Sequence, residues 1–164
     1  MRRRLSPRAL TTTSRNRSTA DVSRPGSNGS TGARAGHRKG RSVRILIVED
    51  DPLNVELFEA ALETEHEIVI ERDGVSGEAR ALSEKFDLVL LDVQLPKRGG
   101  IEVCGNLRAA GVRIPIVALS ASVLPEEVAR TTEAGFDVFW SKPISPPDLR
   151  AAVKSINHPP ARRD

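Results

Sequence analysis

Five short apolar runs, each closed by polar residues, constrain most tightly what this chain can fold into. They are residues 43–48 (VRILIV), 66–71 (HEIVIE), 87–91 (DLVLL), 114–119 (IPIVAL) and 137–141 (DVFWS). Each has strand length, and the first is rich in branched residues. Near-continuous apolar character is the mark of a parallel strand covered on both faces. Between the runs the spacing changes to that of helices. Pro52 suits a first helical turn, and Leu53, Leu57, Phe58, Ala61 and Leu62 recur at helical spacing. Gly74 and Gly77 open a second helix with Ala79, Ala81 and Leu82 inward, ending near Lys85. A third helix is expected around 102–110, a fourth around 125–134 with Gly135 as its C-terminal cap, and a fifth around 146–156. Five strands alternating with five helices predict a doubly wound α/β domain built on a five-stranded parallel sheet.

The polar residues fall in one kind of place. Glu49, Asp50, Asp92, Ser120 and Lys142 all stand at carboxyl ends of expected strands, and sites in open α/β sheets form in the crevice outside those ends. If strands one and three are neighbours, Glu49, Asp50 and Asp92 share a pocket. Three crowded carboxylates repel unless a cation sits among them. Oxygen-only donors without His or Cys favour Mg²⁺ or a similar hard ion. Lys142 adds a point charge for phosphate and Ser120 a hydroxyl donor. An aspartate, a divalent cation, a hydroxyl and a lysine are the parts needed to form and hold an aspartyl phosphate. Taken singly, any one of Glu49, Asp50 or Asp51, and Ser120 too, is explained as a helix cap, and Lys142 as a solvated surface charge. Asp51, next to Pro52, is assigned to the helix start rather than to the cluster.

Charge divides the chain. Residues 1–42 hold eleven Lys/Arg and one acid, Asp21, a net of +10, whereas residues 43–164 hold 14 Lys/Arg against 21 Asp/Glu, a net of −7. The basic segment has almost nothing large and apolar and is read as a disordered tail. Nucleic-acid binding through phosphate contacts, an organelle transit peptide, contact with an acidic partner and an unselected extension all stay open for it. One cysteine, Cys104, excludes a disulfide framework and a thiolate zinc site. No apolar run approaches the roughly 18 residues of a membrane span, and no secretory h-region follows the first arginines. The expected compartment is soluble, reducing and cytoplasmic.

On ILIVEDDPLN (45–54), LVLLDVQLPKRGG (88–100), IVALSAS (116–122) and FWSKPI (139–144), the chain resembles the receiver domain of bacterial two-component response regulators over about residues 43–157. The resemblance implies a flavodoxin-like (βα)5 fold. It makes Asp92 the phosphoacceptor and Asp50 the direct Mg²⁺ ligand, with Glu49 acting largely through water and Gln94 lending its backbone carbonyl. Ser120 becomes the residue that reads the phosphoryl group, and Lys142 the lysine of a cis Lys-Pro pair. Phe139 takes the place of the aromatic switch residue; the chain has no tyrosine, so any flip there must be driven by packing. Trp140 is expected on the opposite side of the strand.

The resemblance further implies a switch rather than a turnover enzyme, with Mg²⁺-dependent transfer only onto its own aspartate. A histidine kinase or histidine phosphotransfer protein would supply the phosphate, and the face of helix four, strand five and helix five would carry the signal. A phosphorylation-dependent dimer through that face stays open. About seven residues, read as a short disordered tail (158–164), follow the fifth helix, so a stand-alone regulator without an output domain is expected. A regulator that binds nucleic acid through residues 1–42 is the alternative. A metal-dependent phosphatase would need an acid two residues after Asp92, where Gln94 stands, and no Gly-x-Gly-x-x-Gly follows the first strand.

Overall fold

The computed structural model of the protein describes residues 41–157. Its elements run β1 (Arg44–Val48), α1 (Pro52–Leu62), β2 (Glu67–Glu71), α2 (Gly74–Ser83), β3 (Leu88–Asp92), α3 (Gly100–Ala109), β4 (Ile116–Ser120), α4 (Pro125–Ala134), β5 (Val138–Ser141) and α5 (Pro146–Asn157). All five strands are parallel in one sheet of order β2-β1-β3-β4-β5. The doubly wound fold expected from the apolar runs is therefore present. The tails expected at 1–42 and 158–164 lie outside the described residues, apart from Arg41 and Ser42.

Strand side chains alternate between two cores, which explains the unbroken apolar runs. Leu46, Val48, Val89, Leu91, Ile116 and Ala118 point to the layer of α2, α3 and α4, together with Val103, Cys104, Leu107 and Phe136. Ile45, Ile47, Leu88, Leu90, Val117 and Leu119 point to the layer of α1 and α5, where they meet Phe58, Leu62, Leu149 and Val153. Phe139 packs on the first core and Trp140 on the second. Burying one such side chain is worth roughly 1.5–3 kcal/mol.

Two helix faces differ from the sequence expectation. In α1 the buried residues are Val55, Phe58, Ala61 and Leu62, while Leu53 is 75% exposed. In α2 the inward residues are Gly74, Gly77 and Ala81, and Ala79 and Leu82 face outward. The glycines are not merely helix openers. A Cβ on Gly77 would lie 2.7 Å from Val48 Cγ1, and one on Gly74 would strike the carbonyl of Arg98. At Gly77 the helix lies so close to β1, and at Gly74 so close to the loop before α3, that glycine alone fits, and its larger residues turn to solvent.

Several boundaries also shift. His66 precedes β2 and closes the end of α1, its amide donating to the Leu62 carbonyl at 2.9 Å. Asp87 precedes β3, where its carboxylate accepts from the Arg44 amide. α3 begins earlier than expected, at Gly100, where a Cβ would strike the carbonyl of Asp92. Gly135 has φ +100 and caps α4, as expected.

Candidate functional site

Strands β1 and β3 are neighbours, with Val48 level with Leu91. The next residues along, Glu49, Asp50 and Asp92, thus emerge side by side at the carboxyl edge of the sheet. Each offers a carboxylate oxygen, and the three oxygens lie within 4.8 Å of one another. Glu49 is fully buried and Asp92 is 3% exposed, whereas Asp50 faces solvent. Together with Asp51, Asn54, Gln94, Ala121 and Lys142 they line an open cleft of about 270 Å³.

Lys142, delivered by the end of β5, reaches into this group. Its Nζ donates to Asp92 Oδ2 at 2.8 Å and to Glu49 Oε2 at 3.1 Å. The Lys142–Pro143 peptide is cis. Each buried carboxylate has a second partner from the backbone. Asp92 Oδ1 accepts from the Gln94 amide at 2.9 Å, and Glu49 Oε1 accepts from the Asp51 amide at 3.1 Å. Among the described residues no buried side-chain polar atom lacks a hydrogen-bond partner.

The electrostatics follow from burial. Desolvation, then the nearby charge of Asp92, push Glu49 above the usual carboxylate range, partly offset by the Asp51 amide and Lys142. Burial pulls Lys142 down, but its bonds and charge attraction to Asp92 and Glu49 outweigh this and hold its ammonium above the usual lysine value. One ammonium faces three carboxylates, so the cleft keeps an excess of negative charge. The donor set is all oxygen, partly wet and partly pre-ordered, which fits a hexacoordinate Mg²⁺ that retains waters.

Asp51 takes the place expected of it at the helix start, with its Oδ1 accepting from the Leu53 amide at 2.9 Å. Ser120 is buried at the end of β4, one residue past the level of Asp92. It does not line the carboxylate cleft. Its hydroxyl donates to Glu127 Oε1 at 2.6 Å, and Ala121 stands at the cleft instead. Phe139 is half-buried against the α2–α3–α4 layer. Asn54 and Glu127 were not singled out from the sequence. Asn54 follows Asp51 by nearly one helical turn, a spacing that marks it in retrospect; Glu127 carries no local signal.

Cys104 is a packing residue: it is buried and desolvation pushes its thiol up to about 11. No helix among the described residues is long and apolar enough to cross a membrane.

Fold and site together define a doubly wound α/β domain with an acidic, oxygen-lined cleft beyond the carboxyl ends of β1 and β3. The model of the response regulator receiver domain matches residues 45–154, so the chain belongs to that family. It is 38% identical over 114 residues to the alkaline phosphatase synthesis transcriptional regulatory protein PhoP of Bacillus subtilis, covering 69% of this chain and 48% of that protein. It is 33% identical over 114 residues to the polar-differentiation response regulator DivK of Brucella anthropi, covering 68% of this chain and 93% of that one. The chain thus spans about half of the first of these relatives and nearly all of the second. Among solved structures, the receiver domain of a Pseudomonas aeruginosa sensor histidine kinase, with a magnesium ion coordinated in its active site cleft, superimposes with a TM-score of 0.66 at 28% identity. The match covers 71% of this chain and 98% of that one.

Proposed function

We propose that this protein is a phosphoacceptor response regulator in which Asp92 accepts a phosphoryl group from a phosphohistidine on a histidine kinase or histidine phosphotransfer protein. The P–N bond of the donor breaks as a P–O bond forms at the Asp92 carboxylate, and the imidazole leaves with the donor. The observation that carries this reading is the contact of Lys142 Nζ with both Asp92 Oδ2 and Glu49 Oε2, beside the exposed Asp50.

The residues divide the work by position. Asp50 and Asp92 would ligate Mg²⁺ directly, Glu49 through water, and Gln94 through its backbone carbonyl. The ion, when bound, supplies positive charge for the transferred oxygens. The Gln94 amide bond on Oδ1 restrains the Asp92 carboxylate, which leaves its orientation for attack set by the backbone. Lys142 offers an ammonium that exchanges a carboxylate partner for a phosphoryl oxygen. Ser120 supplies a hydroxyl donor, and the half-buried Phe139 responds on β5, so that the α4–β5–α5 face reports the state of Asp92. The catalytic chemistry is confined to the protein's own aspartate, in a cytoplasmic setting where kinases of this type present their phosphohistidine.

The test is phosphorylation of the full chain by acetyl phosphate with Mg²⁺, read by intact mass. One phosphoryl group is expected on the wild type and none on Asp92→Asn or in the presence of excess chelator. Undiminished labelling of Asp92→Asn sinks the assignment.

A further inference from the structure

The hydroxyl of Ser120 has one proton to donate, and here it is already committed. It goes to Glu127 Oε1 at 2.6 Å, while the Ser122 amide donates into the Ser120 oxygen at 3.1 Å. Glu127 is the third residue of α4. Hydrogen bonds from Ser120 and then Ser122 hold its carboxyl below the usual carboxylate range, and a charged acid suits the first turn of a helix. The link therefore joins the end of β4 to the start of α4 through a charge-assisted bond.

Apart from these polar links to Ser120 and Ser122, the junction has little apolar packing. Val123 is 63% exposed and Leu124 56% exposed, so the connecting segment has few buried apolar contacts. On its other side, an open cleft of about 530 Å³ separates the start of α4 from the β3–α3 loop, with Val93, Gln94, Ile101, Leu124 and Glu127 on its walls. The first turn of α4 has room beside the segment that follows Asp92.

We infer that Glu127 is a positioning residue that competes with a phosphoryl group on Asp92 for the Ser120 hydroxyl. While Glu127 holds the proton, Ser120 is turned away from the carboxylate cleft and the start of α4 is tethered. Donation to a phosphoryl oxygen requires that tether to break, so one proton couples the state of Asp92 to the position of α4. Glu127 sets the threshold of the switch without touching the reacting atoms. The inference rests on the phosphoacceptor reading of Asp92.

The test is a calorimetric titration of the full chain with beryllofluoride, a tetrahedral mimic of the phosphoryl group, at fixed Mg²⁺. A hydrogen bond to a charged acceptor corresponds to on the order of a tenfold change in an equilibrium constant. Glu127→Ala should therefore bind the mimic about tenfold more tightly. Glu127→Gln, whose amide oxygen still accepts but carries no charge, should gain less. In a Ser120→Ala background, Glu127→Ala should give no further gain, because the competition has lost its object. Unchanged or weaker binding by Glu127→Ala, or an equal gain in the Ser120→Ala background, overturns the inference. Wild-type protein that fails to bind the mimic at all overturns the phosphoacceptor reading itself, and the inference with it.

Discussion

Lys142 Nζ donates to Asp92 Oδ2 at 2.8 Å, joining residues 50 positions apart in the chain. The same ammonium also serves Glu49, which is fully buried. Lys142 is thus both a participant in the proposed chemistry and the cation that makes the carboxylate cluster tolerable in the fold. Breaking a largely buried ion pair by removing one partner leaves the other charge uncompensated. Lys142→Met should lower stability by about 3 kcal/mol without divalent cation. Added Mg²⁺ should raise the melting temperature of the variant by more than that of the wild type, since the cleft gains net negative charge. Thermal melts with and without Mg²⁺ measure both effects.

Two helical glycines should respond with opposite signs to the same substitution. At Gly77 the new methyl would crowd the branched Val48 side chain of the core, and overpacking costs about 1–3 kcal/mol. At Gly105 in α3 nothing lies within 4 Å of the added Cβ, so Gly105→Ala should stabilise by about 0.5–1 kcal/mol through helix propensity alone. Chemical denaturation of the two variants separates a packing glycine from a free one.

Asp73 caps α2 and pairs with the loop after Asp92. It accepts from the Ser76 amide and from Lys97 Nζ at 3.0 Å, and these bonds, the amide first, lower its carboxyl from 3.8 to about 2. A carboxyl whose folded-state value is depressed contributes stability that is present above its unfolded value and lost as pH falls through the folded one. Stability should therefore decline between about pH 4 and pH 2 more steeply in the wild type than in Asp73→Asn. Equal slopes in acid denaturation would remove this role.

Arg108 is expected to be the most sensitive charged residue remote from the site. Its guanidinium donates to the carbonyls of Gly135, Val112 and Ile114 and to Asp137. It thereby ties the ends of α3 and α4 to the start of β4. Arg108→Ala strips several partly buried acceptors of their donor and should cost about 2–3 kcal/mol. Arg108→Lys should recover little of this, because one ammonium cannot span the fork. Equilibrium unfolding of both variants provides the measurement.

Within the site, legibility depended on how local the signal was. Glu49, Asp50, Asp92 and Lys142 were legible because each stands at or just past the end of a strand that an apolar run announces, and parallel strands carry their ends to one edge. Ser120 could be placed at the end of β4 but its present partner could not, since Glu127 meets it only once α4 has packed. The glycine face of α2 was hidden for a related reason. Hydrophobic periodicity marks a buried face by its large residues, and this face is buried because it has none.

The sequence by itself determined the number, kind and order of the elements and which polar residues stand at the strand ends. These follow from local properties of the chain: side-chain branching, the two periodicities, and turn chemistry. Only the tertiary structure decided the strand order that places β1 beside β3, the outward turn of Leu53, Ala79 and Leu82, the reach of Arg108, and the present commitment of the Ser120 hydroxyl to Glu127. Each depends on the distance between segments remote in sequence, which is set by how the layers close on the sheet.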